Sequence, residues 1–127
     1  MSNRLVDHLD LRVRDPAAAR SFYDPLLRAF SMRGRVQADG TVVYVRIIDH
    51  HILEAVALIA DPAHCPNASR VAFAAELPSD VDRVAAVAQA AGARDFEPPA
   101  LCPEIGPNYY TAFFADPDGN RLEIVAR

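Results

Sequence analysis

Residues 52–57 (ILEAVA) and residues 121–126 (RLEIVA) carry Leu, Glu, Val and Ala at the same offsets. The segments before each copy also come in the same order: a strand pattern, then a helix start, at residues 15–16 in one case and 78–80 in the other. Because each half then continues with three strand-like segments, the sequence predicts an α+β fold of two tandem βαβββ modules. We place module one at about residues 1–61 and module two at about residues 68–127 of a single domain.

Composition limits the classes of partner. The chain has 127 residues, of which 51% are hydrophobic, and this is enough for one compact core. A formal charge of −4 without any basic run argues against nucleic acid, and no apolar run reaches the length of a membrane span or a signal-peptide core. Cys65 and Cys102 are too few for a disulfide framework or a zinc knuckle. We therefore expect a cytoplasmic protein with free thiols.

The first strand pattern, residues 5–13, alternates strictly between apolar and polar side chains. Its apolar face consists of Leu9, Leu11 and Val13. The other face carries polar groups that can ligate, or donate and accept protons or hydrogen bonds, namely His8, Asp10 and Arg12. This polar face makes the strand a candidate part of a functional site.

The first helix is predicted to begin after Asp15, which caps it, with Pro16 at its first position. Its apolar stripe consists of Ala18, Phe22, Leu26 and Phe30. Because Pro25 interrupts this stripe, we expect a kink there or a restart with Asp24 as a second cap.

Three strands complete module one, at residues 32–36, 41–48 and 52–60, and Asp39 with Gly40 forms the turn between the first two. Alternation places Tyr44 and Arg46 on one face of the middle strand. The last of the three strands contains Glu54, and a linker follows at residues 61–67.

Module two begins with a strand at residues 69–77, followed by a helix that Ser79 caps and Gly92 ends. After a short strand at residues 94–97, we interpret the proline-rich residues 98–108 as an ordered loop. Loops of this length in small domains often act as functional lids.

The chain closes with a hairpin whose turn is supplied by residues 116–120 (DPDGN). Before the turn, Tyr109, Thr111 and Phe113 alternate and share one strand face. After the turn, Glu123 alternates with apolar neighbours. We therefore expect these four side chains to line a common site.

Three segments together resemble the vicinal oxygen chelate superfamily, which includes glyoxalase I, fosfomycin and bleomycin resistance proteins, and extradiol dioxygenases. They are residues 7–15 (DHLDLRVRD) followed by Phe22 and Tyr23, residues 71–73 (VAF), and residues 114–123 (FADPDGNRLE). The resemblance covers nearly the whole chain. It implies a half-open, barrel-like curved mixed sheet with the helices outside, and a homodimer.

The resemblance also implies ligand positions on the first and last strands of each module, which are His8, Glu54, Arg70 and Glu123 in this chain. An imidazole and two carboxylates suit a divalent ion such as Zn²⁺, Ni²⁺, Mn²⁺ or Fe²⁺. The superfamily usually has histidine where this chain has Arg70, and a guanidinium offers no lone pair to a cation. Either Arg70 pairs with a carboxylate and its charge replaces the metal, or it swings out and the other three residues hold the metal with water.

These implications give two functional hypotheses. The first is a glyoxalase-like lyase or isomerase, in which a metal acts as Lewis acid and Glu123 or Glu54 transfers protons. The second is a metal-free binding protein of the bleomycin-resistance kind. In both, the substrate-binding residues are Arg70, Tyr109, Thr111, Phe113, Arg46 and Tyr44. A dioxygenase would need two histidines and one carboxylate, and only His8 is in place.

Overall fold

Each half of the chain folds into one helix and four strands in the computed structural model, which describes residues 4–127. The chain divides into two units, Met1–His64 (unit 1) and Cys65–Arg127 (unit 2). Unit 1 contains β1 (His8–Val13), α1 (Pro16–Arg28), β2 (Arg33–Val36), β3 (Val42–Ile48) and β4 (His51–Ala60). Unit 2 contains β5 (Arg70–Ala74), α2 (Pro78–Ala90), β6 (Arg94–Leu101), β7 (Tyr110–Ala115) and β8 (Arg121–Ala126).

The two sheets share one topology. The strand order is β1-β4-β3-β2 in unit 1 and β5-β8-β7-β6 in unit 2. In each sheet the first and last strands of the unit pair in parallel, and the other neighbours are antiparallel. This arrangement confirms the predicted α+β class and the two tandem βαβββ modules.

Helix α1 begins as predicted but does not restart. The carboxylate of Asp15 accepts hydrogen bonds from the backbone amides of Ala17 and Ala18, at 3.0 and 3.4 Å. The helix runs through Pro25 without a break. The predicted second cap at Asp24 is therefore wrong, because Pro25 removes only one backbone hydrogen bond from a helix that is held by its buried face.

The buried face of α1 also differs from the predicted stripe. It consists of Pro16, Ala19, Phe22, Tyr23, Leu26 and Leu27. Ala18 is exposed and Phe30 lies beyond the end of the helix. Each large side chain of the buried face contributes about 1.5–3 kcal/mol by its burial. This burial offsets the loss at Pro25.

Helix α2 begins at Pro78, two residues earlier than a cap at Ser79 implies, so Ser79 is not its cap. The capping position is Leu77, whose backbone amide donates to the carboxylate of Asp80 at 3.2 Å. The buried residues of α2 agree with the prediction and are Val81, Val84, Ala85 and Ala88. None of the helices formed by residues 4–127 has the length and apolar character needed to cross a membrane.

Strand β6 is longer than predicted and includes Pro98 and Pro99. Proline is tolerated there because β6 is the edge strand of its sheet, and the pairing with β7 shifts register on both sides of Glu97. The loop that follows is correspondingly shorter. It is closed by a hydrogen bond of 2.8 Å from the amide of Cys102 to the carbonyl of Tyr109.

The closing turn is built around Asp116, which is fully buried. Its carboxylate accepts hydrogen bonds from the amides of Asp118 and Asn120 at 2.9 and 2.8 Å, and from Nδ2 of Asn120 at 2.8 Å. Gly119 takes a positive φ of 89°, and a Cβ there would lie 2.8 Å from Cγ of Pro66. The predicted turn at residues 116–120 is thereby confirmed and rigidly held.

Candidate functional site

One face of the unit 2 sheet carries most of the side chains that the sequence predicted for the site. Ala72 pairs with Glu123, and Glu123 pairs with Phe113. Because paired residues project to the same face, Arg70 and Phe113 lie on the face of Glu123. The opposite face meets α2, where the Tyr110 hydroxyl donates to Asp82 at 2.6 Å.

Glu123 is buried and held by two hydroxyl groups. The residue is only 5% exposed. The hydroxyls of Tyr109 and Thr111 both donate to Oε2 of Glu123, at 2.5 and 2.7 Å, and both donors are buried. This hydrogen bond to Glu123 raises the pKa of Tyr109. The structure thus brings together three of the predicted residues as one buried polar cluster, the Glu123 cluster.

Arg70 lies beside this cluster but forms no ion pair with any of residues 4–127. The carboxylate pairing that the sequence suggested for it is therefore not found. Its guanidinium instead lies over the ring of Phe113, with Cζ 4.5 Å from the ring centroid. This is the geometry of a cation–π contact, which holds the charged group at the sheet surface.

Two residues of this face were not assigned from sequence. The guanidinium of Arg127 lies over Tyr109, with Cζ 4.9 Å from the ring centroid. Cys102 follows β6, and burial, followed by a hydrogen bond with Glu104, raises the pKa of its thiol. A raised pKa keeps this thiol protonated and poorly reactive. The contact of Arg127 with Tyr109 continues the β7–β8 register, so the closing hairpin was a signal for it in the sequence. The surroundings of Cys102 had no such signal, because they depend on how the β6–β7 loop closes.

In unit 1 the register separates two of the predicted ligands. His8 pairs with Ala55, so its side chain projects to the same face as that of Ala55. Glu54 is the preceding residue and projects to the opposite face. There it pairs with Arg46, with which it forms an ion pair. The structure therefore does not bring His8 and Glu54 together within this sheet.

Arg46 is unusual for a surface cation. Its Nε atom is buried and has no hydrogen-bond partner among residues 4–127. The ion pair with Glu54 uses Nη2 instead. The sequence predicted a substrate-binding role for Arg46. In the structure its ion pair with Glu54 joins β3 to β4, which is a structural role.

Tyr44 is part of the unit 1 core. It is 1% exposed, and its hydroxyl donates a hydrogen bond of 2.6 Å to Oδ1 of Asp24 in α1. Its ring also fills the space beside Gly34, where a Cβ would lie 2.6 Å from Cε1 of Tyr44. Burial, with the hydrogen bond to Asp24 second, raises the pKa of Tyr44. Since Tyr44 pairs with Val56 next to Ala55, it lies on the face opposite His8.

His8 is exposed on its own face. Its Nδ1 donates to Oδ1 of Asp7 at 2.9 Å, and its Nε2 lies 4.0 Å from Oδ1 of Asp10. The hydrogen bond to Asp7, followed by the charge of Asp10, raises the pKa of His8.

A family model matches residues 5–124, nearly the whole chain, and describes the Glyoxalase/Bleomycin resistance protein/Dioxygenase superfamily. The chain belongs to this superfamily. Among solved structures, a glyoxalase/bleomycin resistance protein from Albidiferax ferrireducens is 26% identical, with a TM-score of 0.78, over 98% of this chain and 99% of that one. The fosfomycin resistance protein FosX from Mesorhizobium loti is 20% identical, with a TM-score of 0.66, over 100% and 94%.

A glyoxalase-related enzyme from Fulvimarina pelagi is 19% identical, with a TM-score of 0.72, over 98% of this chain and 88% of that one. No curated protein matches the chain significantly. The solved structures therefore establish a shared superfamily fold.

Superfamily members often bind a divalent metal. Residues 4–127 contain no group of three or more His, Cys, Asp or Glu side chains placed to hold a metal ion. In unit 1, Glu54 faces away from His8, and in unit 2, the Glu123 cluster contains one carboxylate and two hydroxyl groups. Neither unit by itself offers the ligand set that the resemblance implied.

The register also explains why the short repeat misled the ligand assignment. In this superfamily fold the two modules are equivalent, with β1 corresponding to β5 and β4 to β8. Asp10 pairs with Ala57, whereas Ala72, at the same place in β5, pairs with Glu123. The structural counterpart of Glu123 is therefore Ala57. Glu54 lies three residues earlier, and an odd shift reverses the strand face.

Proposed function

We propose that this chain is a metal-free small-molecule binding protein of the superfamily, with Arg70 in the place of a metal. The observation that carries the proposal is the guanidinium of Arg70, which is held over Phe113 without a carboxylate partner among residues 4–127. At this strand position the guanidinium provides the positive charge that a metal ion would otherwise provide. This charge attracts an anionic ligand. The proposed ligand is a small, flat, oxygenated anion.

The surroundings of Arg70 support this ligand class. The guanidinium is exposed and retains its N–H groups, which can bind a carboxylate in bidentate geometry. Phe113 lies beneath the guanidinium and is partly exposed, so a conjugated ligand bound to Arg70 can contact the uncovered part of its ring. Charge and aromatic surface together favour an aromatic carboxylate over a neutral molecule.

The Glu123 cluster has a positioning role in this proposal. Two hydroxyl donors fix the carboxyl group of Glu123 and orient Tyr109 and Thr111 along the same face. Because both hydroxyls bind Oε2, they hold the carboxyl group in one orientation. The arrangement therefore favours a rigid binding surface.

A second candidate is the metal-assisted lyase or isomerase, with His8 as one ligand of Zn²⁺, Ni²⁺, Mn²⁺ or Fe²⁺. One observation favours it. Nδ1 of His8 donates to the carboxylate of Asp7, and histidines that bind metal through Nε2 commonly have this support. We also propose that the chain functions as a cytoplasmic homodimer and as a single domain, on the precedent of the superfamily.

The test combines metal analysis with ligand binding. Elemental analysis of protein purified without added metal should find less than a stoichiometric amount of any divalent ion. Isothermal titration with benzoate and its uncharged analogue benzamide should show binding of benzoate only. Arg70→Gln should abolish that binding, whereas Arg83→Gln, which removes an exposed arginine on α2, should leave it unchanged.

The second candidate gives a different pattern. Near-stoichiometric metal that is lost in both His8→Ala and Glu123→Ala would replace the binding-protein proposal with the metalloenzyme. If the wild type holds no metal and the Arg70→His variant binds one, the result would support the proposal that Arg70 takes the place of a metal ion.

A further inference from the structure

A cavity of about 370 Å³ lies in unit 1, on the side of its sheet that α1 covers. It is lined by Arg20, Asp24, Arg28, Met32, Arg33, Gly34 and Tyr44. Since Tyr44 and His8 are on opposite faces of the sheet, this cavity is separate from the surface that carries His8. It is also in a different unit from Arg70 and the Glu123 cluster.

The charges around this cavity are unbalanced. Three arginines and one aspartate line it, which gives a formal excess of two positive charges. The carboxylate of Asp24 is already occupied. Nε and Nη2 of Arg20 bind its two oxygens at 3.2 Å each, and the Tyr44 hydroxyl donates to it at 2.6 Å. Asp24 therefore neutralises Arg20. The lining has no second carboxylate to neutralise Arg28 and Arg33.

Arg28 and Arg33 form no ion pair with any of residues 4–127. Arg28 lies in the last turn of α1, where arginine often binds the free carbonyl groups of a helix end. Here most of those carbonyls already accept hydrogen bonds from backbone amides, namely those of Ala29, Phe30, Ser31 and Met32. Arg28 is thus not required for capping, and its guanidinium remains available to a ligand.

Part of the cavity wall is fixed. Tyr44 is buried, and its position requires glycine at residue 34, because any Cβ there would overlap its ring. The Tyr44 ring therefore packs directly on Gly34 and forms part of the cavity wall beside the arginines. Asp24 also holds Arg20 in place, and this preformed part of the lining lowers the ordering cost of binding an anion.

We infer that this cavity binds a phosphate group, either free or as the monoester of a small organic molecule. A carboxylate has two oxygens and satisfies one guanidinium, as Asp24 does with Arg20. A phosphate group presents three or four oxygens and up to two negative charges, which match the two unpaired arginines and the excess charge. This site is additional to the function proposed for unit 2.

Isothermal titration of the full chain with inorganic phosphate and with phenyl phosphate, at low ionic strength, tests the inference. Both Arg28→Gln and Arg33→Gln should weaken binding about tenfold or more, since each removes a charge-assisted contact. The matched control is Arg35→Gln, which changes the net charge equally at a position on β2 that does not line the cavity. It should bind phosphate as the wild type does.

The two ligands identify the source of the phosphate. Equal affinity indicates free phosphate, and tighter binding of phenyl phosphate indicates a monoester. Several results would overturn the inference: no saturable binding of either ligand, an equal loss in all three variants, or acetate binding as tightly as phosphate. A loss confined to Arg70→Gln would place the anion in unit 2 and would likewise overturn it.

Discussion

The hydroxyl of Tyr109 donates a hydrogen bond of 2.5 Å to Oε2 of Glu123, and both side chains are buried in unit 2. Thr111 donates to the same oxygen. Glu123 is thereby the centre of a polar cluster within a sheet whose other face is packed against α2. The stability of unit 2 and the shape of its proposed binding face both depend on these bonds.

Tyr109→Phe should lower the free energy of unfolding by about 1–3 kcal/mol, because a buried carboxyl group loses a hydrogen-bond donor. Denaturation with urea, followed by circular dichroism, measures the change. Tyr110→Phe is the matched control, since its hydroxyl binds Asp82 in an exposed position. If both variants lost the same free energy of unfolding, the buried hydrogen bond of Tyr109 would stabilise the fold no more than the exposed one of Tyr110 does.

Gly34→Ala should destabilise the chain by about 1–3 kcal/mol, because the added Cβ would lie 2.6 Å from the Tyr44 ring. The control is Gly106→Ala, where the nearest atom would be Cβ of Tyr109 at an ordinary 3.8 Å. Thermal unfolding of both variants provides the comparison. If Gly34→Ala were as stable as the control, Tyr44 would have to move readily, contrary to its place in the core.

Asp116→Ala should cost about 2–4 kcal/mol, because the buried carboxylate supports three hydrogen-bond donors of the closing turn. Asp39→Ala removes the exposed hydrogen bonds with Thr41 in the hairpin of unit 1, and should cost less. Urea denaturation again measures both. The reverse order would show that the turn at residues 116–120 is held by its backbone rather than by Asp116.

Alkaline titration followed by tyrosinate absorbance should give midpoints above the ordinary pKa of 10 in the folded protein. The pKa is raised by burial for Tyr44, and by hydrogen bonds to Glu123 and Asp82 for Tyr109 and Tyr110. Because the folded pKa exceeds the unfolded one, the stability from these groups is fully present below pH 10. It is lost as the pH rises through the folded values.

Two variants make this titration specific. Asp82→Asn should move one transition, that of Tyr110, back toward the ordinary value without altering the other two. In concentrated urea all transitions should merge near the ordinary value. A folded protein that titrates as the unfolded chain does would contradict the buried hydrogen bonds of Tyr44 and Tyr109.

The sequence predicted the order of elements because each carried its own local signal. Alternation identified the strands, and Asp15 with Pro16 marked the start of α1. Alternation also placed Tyr109, Thr111 and Glu123 on one face, where the structure brings them together. These inferences needed only the period of a strand and the closing hairpin.

Register between distant strands could not be predicted in this way. Glu54 matched Glu123 in a short motif, but the pairing of β1 with β4 decides which face it occupies. The position of Tyr44 likewise depends on the packing of α1, and Asp24 gave no sign that it would bind Tyr44 rather than cap a helix. The contact between Arg70 and Phe113 requires the parallel pairing of β5 with β8, which no local pattern encodes.

The alanine at position 57, where the other module has Glu123, bears on the history of the chain. A gene duplication supplies two copies of every side chain, and selection needs to retain only one of them. Here one copy carries a buried carboxyl group and the other a methyl group. The ancestor of the two modules therefore cannot be reconstructed by matching the letters LE in each half, and an alignment of the repeats should be anchored on strand pairing instead.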